Sequence, residues 1–94
     1  MSQVKFLLSD ALPLLKLADW VNKVTNSNIY LCYINEAGEA GVEINKNNKC
    51  VLKVEIYTDD EGDGVKLRFI PMNGNTYIMD FDENMAENEI RKYI

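Results

Sequence analysis

Ninety-four residues are enough for one hydrophobic core and leave no room for a second. With 47% hydrophobic and 27% charged residues, the chain is neither a disordered tail nor a fibre. Ten basic residues against fifteen acidic ones give a net charge of −5, which opposes a grip on duplex nucleic acid or anionic lipid and favours a basic partner.

The first predicted element is a short strand over Gln3–Leu8, where Val4, Phe6 and Leu8 alternate with Lys5 and Leu7. Ser9 and Asp10 then offer N-cap oxygens, and Pro13 suits a first helical turn, where its missing N–H costs little. Leu14, Leu17, Ala18, Val21 and Val24 follow at helical spacing and predict one apolar stripe, with Lys16, Asp19 and Lys23 off it. Asn26-Ser27-Asn28 ends the helix.

From Ile29 the period changes to two. Ile29–Ile34 is apolar on both faces and reads as a central strand. The Glu36-Ala37-Gly38-Glu39 turn leads to a shorter strand around Val42 and Ile44, and Lys46-Asn47-Asn48-Lys49 is a second polar turn. Cys50–Thr58 sets Leu52, Val54 and Ile56 against Lys53, Glu55 and Tyr57. After the acidic turn Asp59–Gly64, Val65–Ile70 sets Val65, Leu67 and Phe69 against Lys66 and Arg68. Asn73-Gly74 is the strongest short hairpin signal in the chain, and Thr76–Phe81 is its return strand, with Tyr77, Met79 and Phe81 on one face. The tail from Asp82 to Ile94 reads as helix, capped by Asp82 or Asn84. Glu83 and Glu87 lie near its positive end, Arg91 and Lys92 near its negative end. Met85, Ala86, Ile90 and Ile94 form its narrow apolar stripe.

This order predicts a single α+β domain over residues 1–94. An N-terminal strand and helix pack on an antiparallel meander of about five strands, followed by a short C-terminal helix. Short connections force antiparallel pairing, and the first helix must cover one face of the sheet. In outline the order resembles the cystatin-like arrangement. Neither that family's glycine-containing inhibitory loop nor its tryptophan loop is in this sequence, so the resemblance implies shape alone.

The residue inventory removes most chemistry. There is no His, hence no Ser-His-Asp or Cys-His catalysis, and two cysteines complete neither a structural zinc site nor a disulfide scaffold. No glycine pattern makes a phosphate loop. We therefore expect no catalytic residues, no metal and no cofactor. Cys32 and Cys50 lie inside apolar runs and are expected as reduced core residues. No secretion signal or membrane span is expected either, which places the chain in the cytoplasm. Eleven Asn and eight Lys against two Arg is the bias of AT-rich coding, a hint of phage or bacterial origin.

Three charged groups remain. Asp59, Glu61, Asp63 and Gly64 match the opening of an EF-hand calcium loop, but Ile70 stands where the bidentate Glu belongs, so a solvated turn is expected. Lys46, Lys49, Lys53, Lys66 and Arg68, with Tyr57 among them, would suit a single-stranded nucleic acid if gathered; alternating Lys and Tyr more simply mark the wet face of a sheet. The acids suit a basic protein. The expected function is a non-enzymatic protein-binding module: a small acidic inhibitor that blocks a basic, nuclease-like partner, of the immunity, antitoxin or counter-defence type. Its candidate contacts are Asp59, Asp60, Glu61 and Asp63, then Asp80, Asp82, Glu83 and Glu87, with Tyr30, Tyr57 and Tyr77 as aromatic anchors. The alternatives are a small-ligand domain or minor enzyme with a helix–sheet pocket, and a self-associating subunit that forms a homodimer through an edge strand.

Overall fold

A computed structural model of the protein describes residues 8–25, 30–58 and 64–94. Helix α1 (Leu8–Thr25) leads into strands β1 (Tyr30–Ile34), β2 (Ala40–Lys46), β3 (Lys49–Thr58), β4 (Val65–Pro71) and β5 (Tyr77–Asp80), and helix α2 (Glu83–Arg91) follows. The strands form one sheet in the order β1-β2-β3-β4-β5, every pair antiparallel. The α+β class, the five-stranded meander and the terminal helix all stand as expected from the sequence.

The alternation in β2, β3 and β4 puts Val42, Ile44, Leu52, Val54, Ile56, Leu67 and Phe69 on one face, all buried. Both helices lie on that face. Leu17, Trp20 and Val21 of α1 and Ala86 and Ile90 of α2 complete the core. Trp20 packs on Phe81, with ring centroids 4.7 Å apart, so the buried side of α1 turns toward Trp20 and leaves Ala18 only half-buried. The helix starts at Leu8, ahead of the expected Ser9-Asp10 cap, and Pro13 stands inside it. There the ring forgoes the bond to the Ser9 carbonyl, a loss least felt near a helix end. Of the strand expected over Gln3–Leu8, Leu8 belongs to α1 and the rest lies outside the described residues.

Asp82 caps α2, its carboxylate accepting from the Met85 N–H at 2.9 Å. Replacing Asp82 with Ala is expected to lower stability by about 1 kcal/mol, readable as a drop in urea midpoint. Met85, expected in the apolar stripe, is exposed, because α2 turns Ala86 and Ile90 inward instead. Tyr77 stacks on Phe69 at 5.3 Å. Its hydroxyl donates to Glu89 at 2.5 Å and meets the Tyr93 hydroxyl at 2.8 Å, tying α2 to β5.

Three further expectations need correction. Among the described residues the β1 strand is an edge, not a central strand, because the meander runs in sequence order and starts with it. Cys32 is exposed and Cys50 half-buried, both free, so neither is a core residue; Cys32 lies on that edge and Cys50 is the second residue of β3. The tight hairpin turn falls at Asn47-Asn48, with φ of 54° and 65°, while neither Asn73 nor Gly74 has positive φ. The reason is register. Pairing of β3 with β4 runs on to Leu52–Pro71 while β4 and β5 stop at Phe69–Tyr77, so the β4–β5 connection is too wide for a two-residue turn. Since Asn48 holds positive φ without being glycine, Asn48→Gly is expected to stabilise the protein by a few tenths of a kcal/mol up to about 1, measured as a rise in melting temperature.

Candidate docking surface

The face of the sheet away from the helices has no covering element among the described residues, and it is built of charge. Register aligns Tyr33, Gly41, Glu55, Arg68 and Ile78 in one row across all five strands. The Arg68 guanidinium donates to Glu39 at 2.8 Å and to Glu55 at 3.0 Å, and it lies over the Tyr57 ring at 4.9 Å. The Tyr33 hydroxyl donates to the other Glu55 oxygen at 2.7 Å. Gly41 makes this approach feasible: a Cβ there would meet the Tyr33 ring at 2.8 Å and Glu55 Cγ at 3.0 Å. Gly41→Ala is therefore expected to cost about 1–3 kcal/mol, read as a drop in urea midpoint.

These groups perturb one another. For Glu39, burial pushes the carboxyl up, but hydrogen bonds from Asn35 and Arg68 outweigh it and hold the group below its ordinary value. The hydrogen bond from Tyr77, then that from Lys92, holds Glu89 low as well. Burial, followed by the bond to a carboxylate, raises the phenols of Tyr33 and Tyr77 well above 10.0. With both carboxyls depressed, the unfolded chain takes up protons first on acidification, so stability falls as pH drops through the carboxylate range. With both phenols raised, the unfolded chain loses protons first above about pH 10, and stability falls there too. A plateau between about pH 5 and pH 9 is the expected outcome in a series of urea melts.

Lys46, Lys49, Lys53, Lys66 and Arg68 are not gathered into a free basic face, in line with the simpler reading of a wet sheet face. Lys66 pairs with Asp80 at 3.0 Å, Arg68 is held by two glutamates, and Lys53 sits opposite Glu43 and over the Tyr33 ring at 5.8 Å. Lys46 and Lys49 flank the Asn47-Asn48 turn at the sheet's far end.

Charge instead separates along the strand axis. The connections at 35–39 and 59–64 and the β5–α2 junction at 80–83 all leave one end of the sheet, because Ile34 pairs with Ala40, Thr58 with Val65 and Lys66 with Asp80. These segments contain Glu36, Glu39, Asp59, Asp60, Glu61, Asp63, Asp80, Asp82 and Glu83, and no Lys or Arg. At the other end, residues 46–49, 71–76 and 91–94 contain Lys46, Lys49, Arg91 and Lys92, and no acid. Asp59, Asp60, Glu61 and Asp63 themselves lie outside the described residues. Glu87 sits one helical turn past Glu83, half-buried. The fold thus brings Glu36, Glu39, Asp80, Asp82 and Glu83 to one end, where the strands on either side of residues 59–63 also end.

The aromatic candidates divide. Tyr57 lies on the helix-free face, bound to Arg68. Tyr77 lies on the helix side and is spent on Glu89 and Tyr93, so it is no surface anchor. The side chain of Tyr30 lies outside the described residues. The exposed apolar surface is elsewhere. Leu12 and Leu15 of α1 are 64% and 65% exposed and line a groove of about 410 Å³ with Lys16, Asp19, Trp20 and Glu83. Positions 8, 12 and 15 are leucines at i, i+4 and i+7, off the core stripe; that second stripe was the signal available in the sequence. Lys23 reaches Asp19 at 3.4 Å and Glu83 at 3.9 Å across exposed surface. A second cleft, of about 710 Å³, opens at the basic end between Cys50, Pro71, Tyr77 and Tyr93, with Lys49 and Lys92 on its rim.

Among the described residues no group of three or more His, Cys, Asp or Glu is placed to hold a metal ion, and no helix is long and apolar enough to cross a membrane. Comparison with protein-family models, with curated proteins and with solved structures finds no match. The cystatin-like outline therefore goes no further than element order.

Proposed function

We propose that the protein is a non-enzymatic binding module that occupies a basic surface of another protein, docking its acidic end and the adjoining Leu12–Leu15 groove. The observation that carries this reading is that the segments 35–39 and 80–83, which bear acids and no Lys or Arg, meet at one end of the sheet, with two exposed leucines beside Glu83; the acidic sequence 59–63 links the strand ends Thr58 and Val65 at that same end. Buried apolar contact supplies affinity, and the acidic surround selects a cationic partner and speeds encounter. The exposed Lys23 pairs are weak enough for an incoming Lys or Arg to replace them. An inhibitor of a nuclease or other nucleic-acid-handling protein, in the cytoplasm of a bacterial cell, fits this sign and size.

The test is affinity capture from bacterial lysate with three baits: wild type, Leu12→Asp/Leu15→Asp, and Asp60→Lys/Glu61→Lys/Glu83→Lys. One protein retained by wild type and lost by both variants, each still folded by circular dichroism, is the expected result. Nothing retained at micromolar bait in low and moderate salt, or the same protein retained by all three, would end this reading.

The cleft of about 710 Å³ at the basic end favours one second reading, a small-ligand domain. A ligand there would raise the melting temperature by mass action, and Tyr93→Ala would abolish that rise.

A further inference from the structure

The outer edge of β1 has no neighbouring strand among the described residues, and its composition does not suit an edge. From Asn26 to Asn35 the chain has no charged residue and no proline, so it lacks the devices that normally protect a free edge. The opposite edge differs: β5 is four residues long and ends on Asp80.

Register shows which backbone groups face outward. The β1–β2 connection is a turn in which the Gly38 N–H donates to the Asn35 carbonyl, with Gly38 at φ 84°, and the Asn35 N–H donates to the Glu39 carbonyl at 2.8 Å. Asn35 and Glu39 are thus a hydrogen-bonded pair. Pairs alternate along an antiparallel ladder, so Tyr33–Gly41 and Leu31–Glu43 are bonded across to β2, while Tyr30, Cys32 and Ile34 turn their N–H and C=O groups away from it.

The geometry points to self-association: β1 pairs antiparallel with β1 of a second copy about a two-fold axis at Cys32, making one continuous ten-stranded sheet. In this register Cys32 faces Cys32, and Tyr30 faces Ile34 of the second copy, twice over. Each of these three pairs makes two backbone hydrogen bonds, and the outer two are aromatic with β-branched, a favoured cross-strand match. The partner is a second copy because the register is self-complementary about the strand's middle residue and brings no like charges together in a protein of net charge −5. The assembly also accounts for a strand whose sequence reads as central: it becomes central on pairing. Two five-residue strands give an interface below about 1,200 Å², so the dimer is expected to be of micromolar affinity.

Sedimentation equilibrium of the full chain across the micromolar range is the test. Wild type is expected to move from monomer toward twice the monomer mass. Cys32→Pro removes only an N–H that faces away from β2, and Cys32→Lys adds like charge at the axis; each is expected to weaken association about tenfold or more. A short bis-maleimide should link wild type and Cys50→Ser into covalent dimers and leave Cys32→Ser monomeric. A wild type that stays monomeric throughout would overturn the proposal. So would a dimer unaffected by both Cys32 variants, or a monomer whose Tyr30, Cys32 and Ile34 amides resist hydrogen exchange because something else holds the edge.

Discussion

Arg68→Met is expected to destabilise the protein by about 3 kcal/mol at neutral pH, because it strands a buried carboxylate. The Glu55 side chain is only 8% exposed, though it lies on the face without helices. It tolerates burial because Arg68 and Tyr33 satisfy one oxygen each, and Glu39 presses a second negative charge on the same guanidinium. Methionine keeps most of the arginine stem's packing, so the loss reports the charge. Adding Glu55→Gln should return at least half of that loss, a coupling of about 1–3 kcal/mol in a double-mutant cycle. Urea unfolding gives both numbers. A cost within about 0.5 kcal/mol, typical of exposed pairs, would mean that the cluster is ordinary surface.

Phe69→Ala is the second large effect, about 3–5 kcal/mol. Phe69 is fully buried at the centre of β4, in the row between Val54 of β3 and Tyr77 of β5. Its ring also stacks on Tyr77, whose hydroxyl ties down α2 through Glu89 and Tyr93. The truncation leaves a cavity and removes the surface that orients Tyr77. Hydrogen exchange should therefore show α2 amides losing protection before those of β2 and β3. Uniform loss across the domain would show that α2 is not separately anchored by this stack.

What the sequence made legible was local. Two-residue alternation in Cys50–Thr58 and Val65–Ile70 named the buried set Leu52, Val54, Ile56, Leu67 and Phe69, and Asp82 announced its own helix. Less legible was whatever register decides. Asn73-Gly74 is the better turn dipeptide, but the extra reach of β4 along β3 leaves its connection wider than a two-residue turn, while Asn47-Asn48 makes the tight one between β2 and β3. Glu39 and Arg68 stand 29 positions apart, and only cross-strand alignment brings them together. The acids of the β3–β4 turn and of the β5–α2 junction were visible as two clusters; their common end of the sheet follows from strand order, which composition does not encode. Leu12 and Leu15 were legible as a second helical stripe but were overshadowed by the longer one.

The salt dependence of association with the captured partner tests the central claim most directly. If the acidic end steers docking, the association rate should fall about tenfold or more as ionic strength rises from about 0.05 to about 0.5 M, while dissociation changes little. Asp60→Lys/Glu61→Lys/Glu83→Lys should flatten that dependence. A salt-independent rate, or a dependence that survives charge reversal and vanishes only with substitutions around Tyr57 and Arg68, would place the working surface on the sheet face and contradict the account.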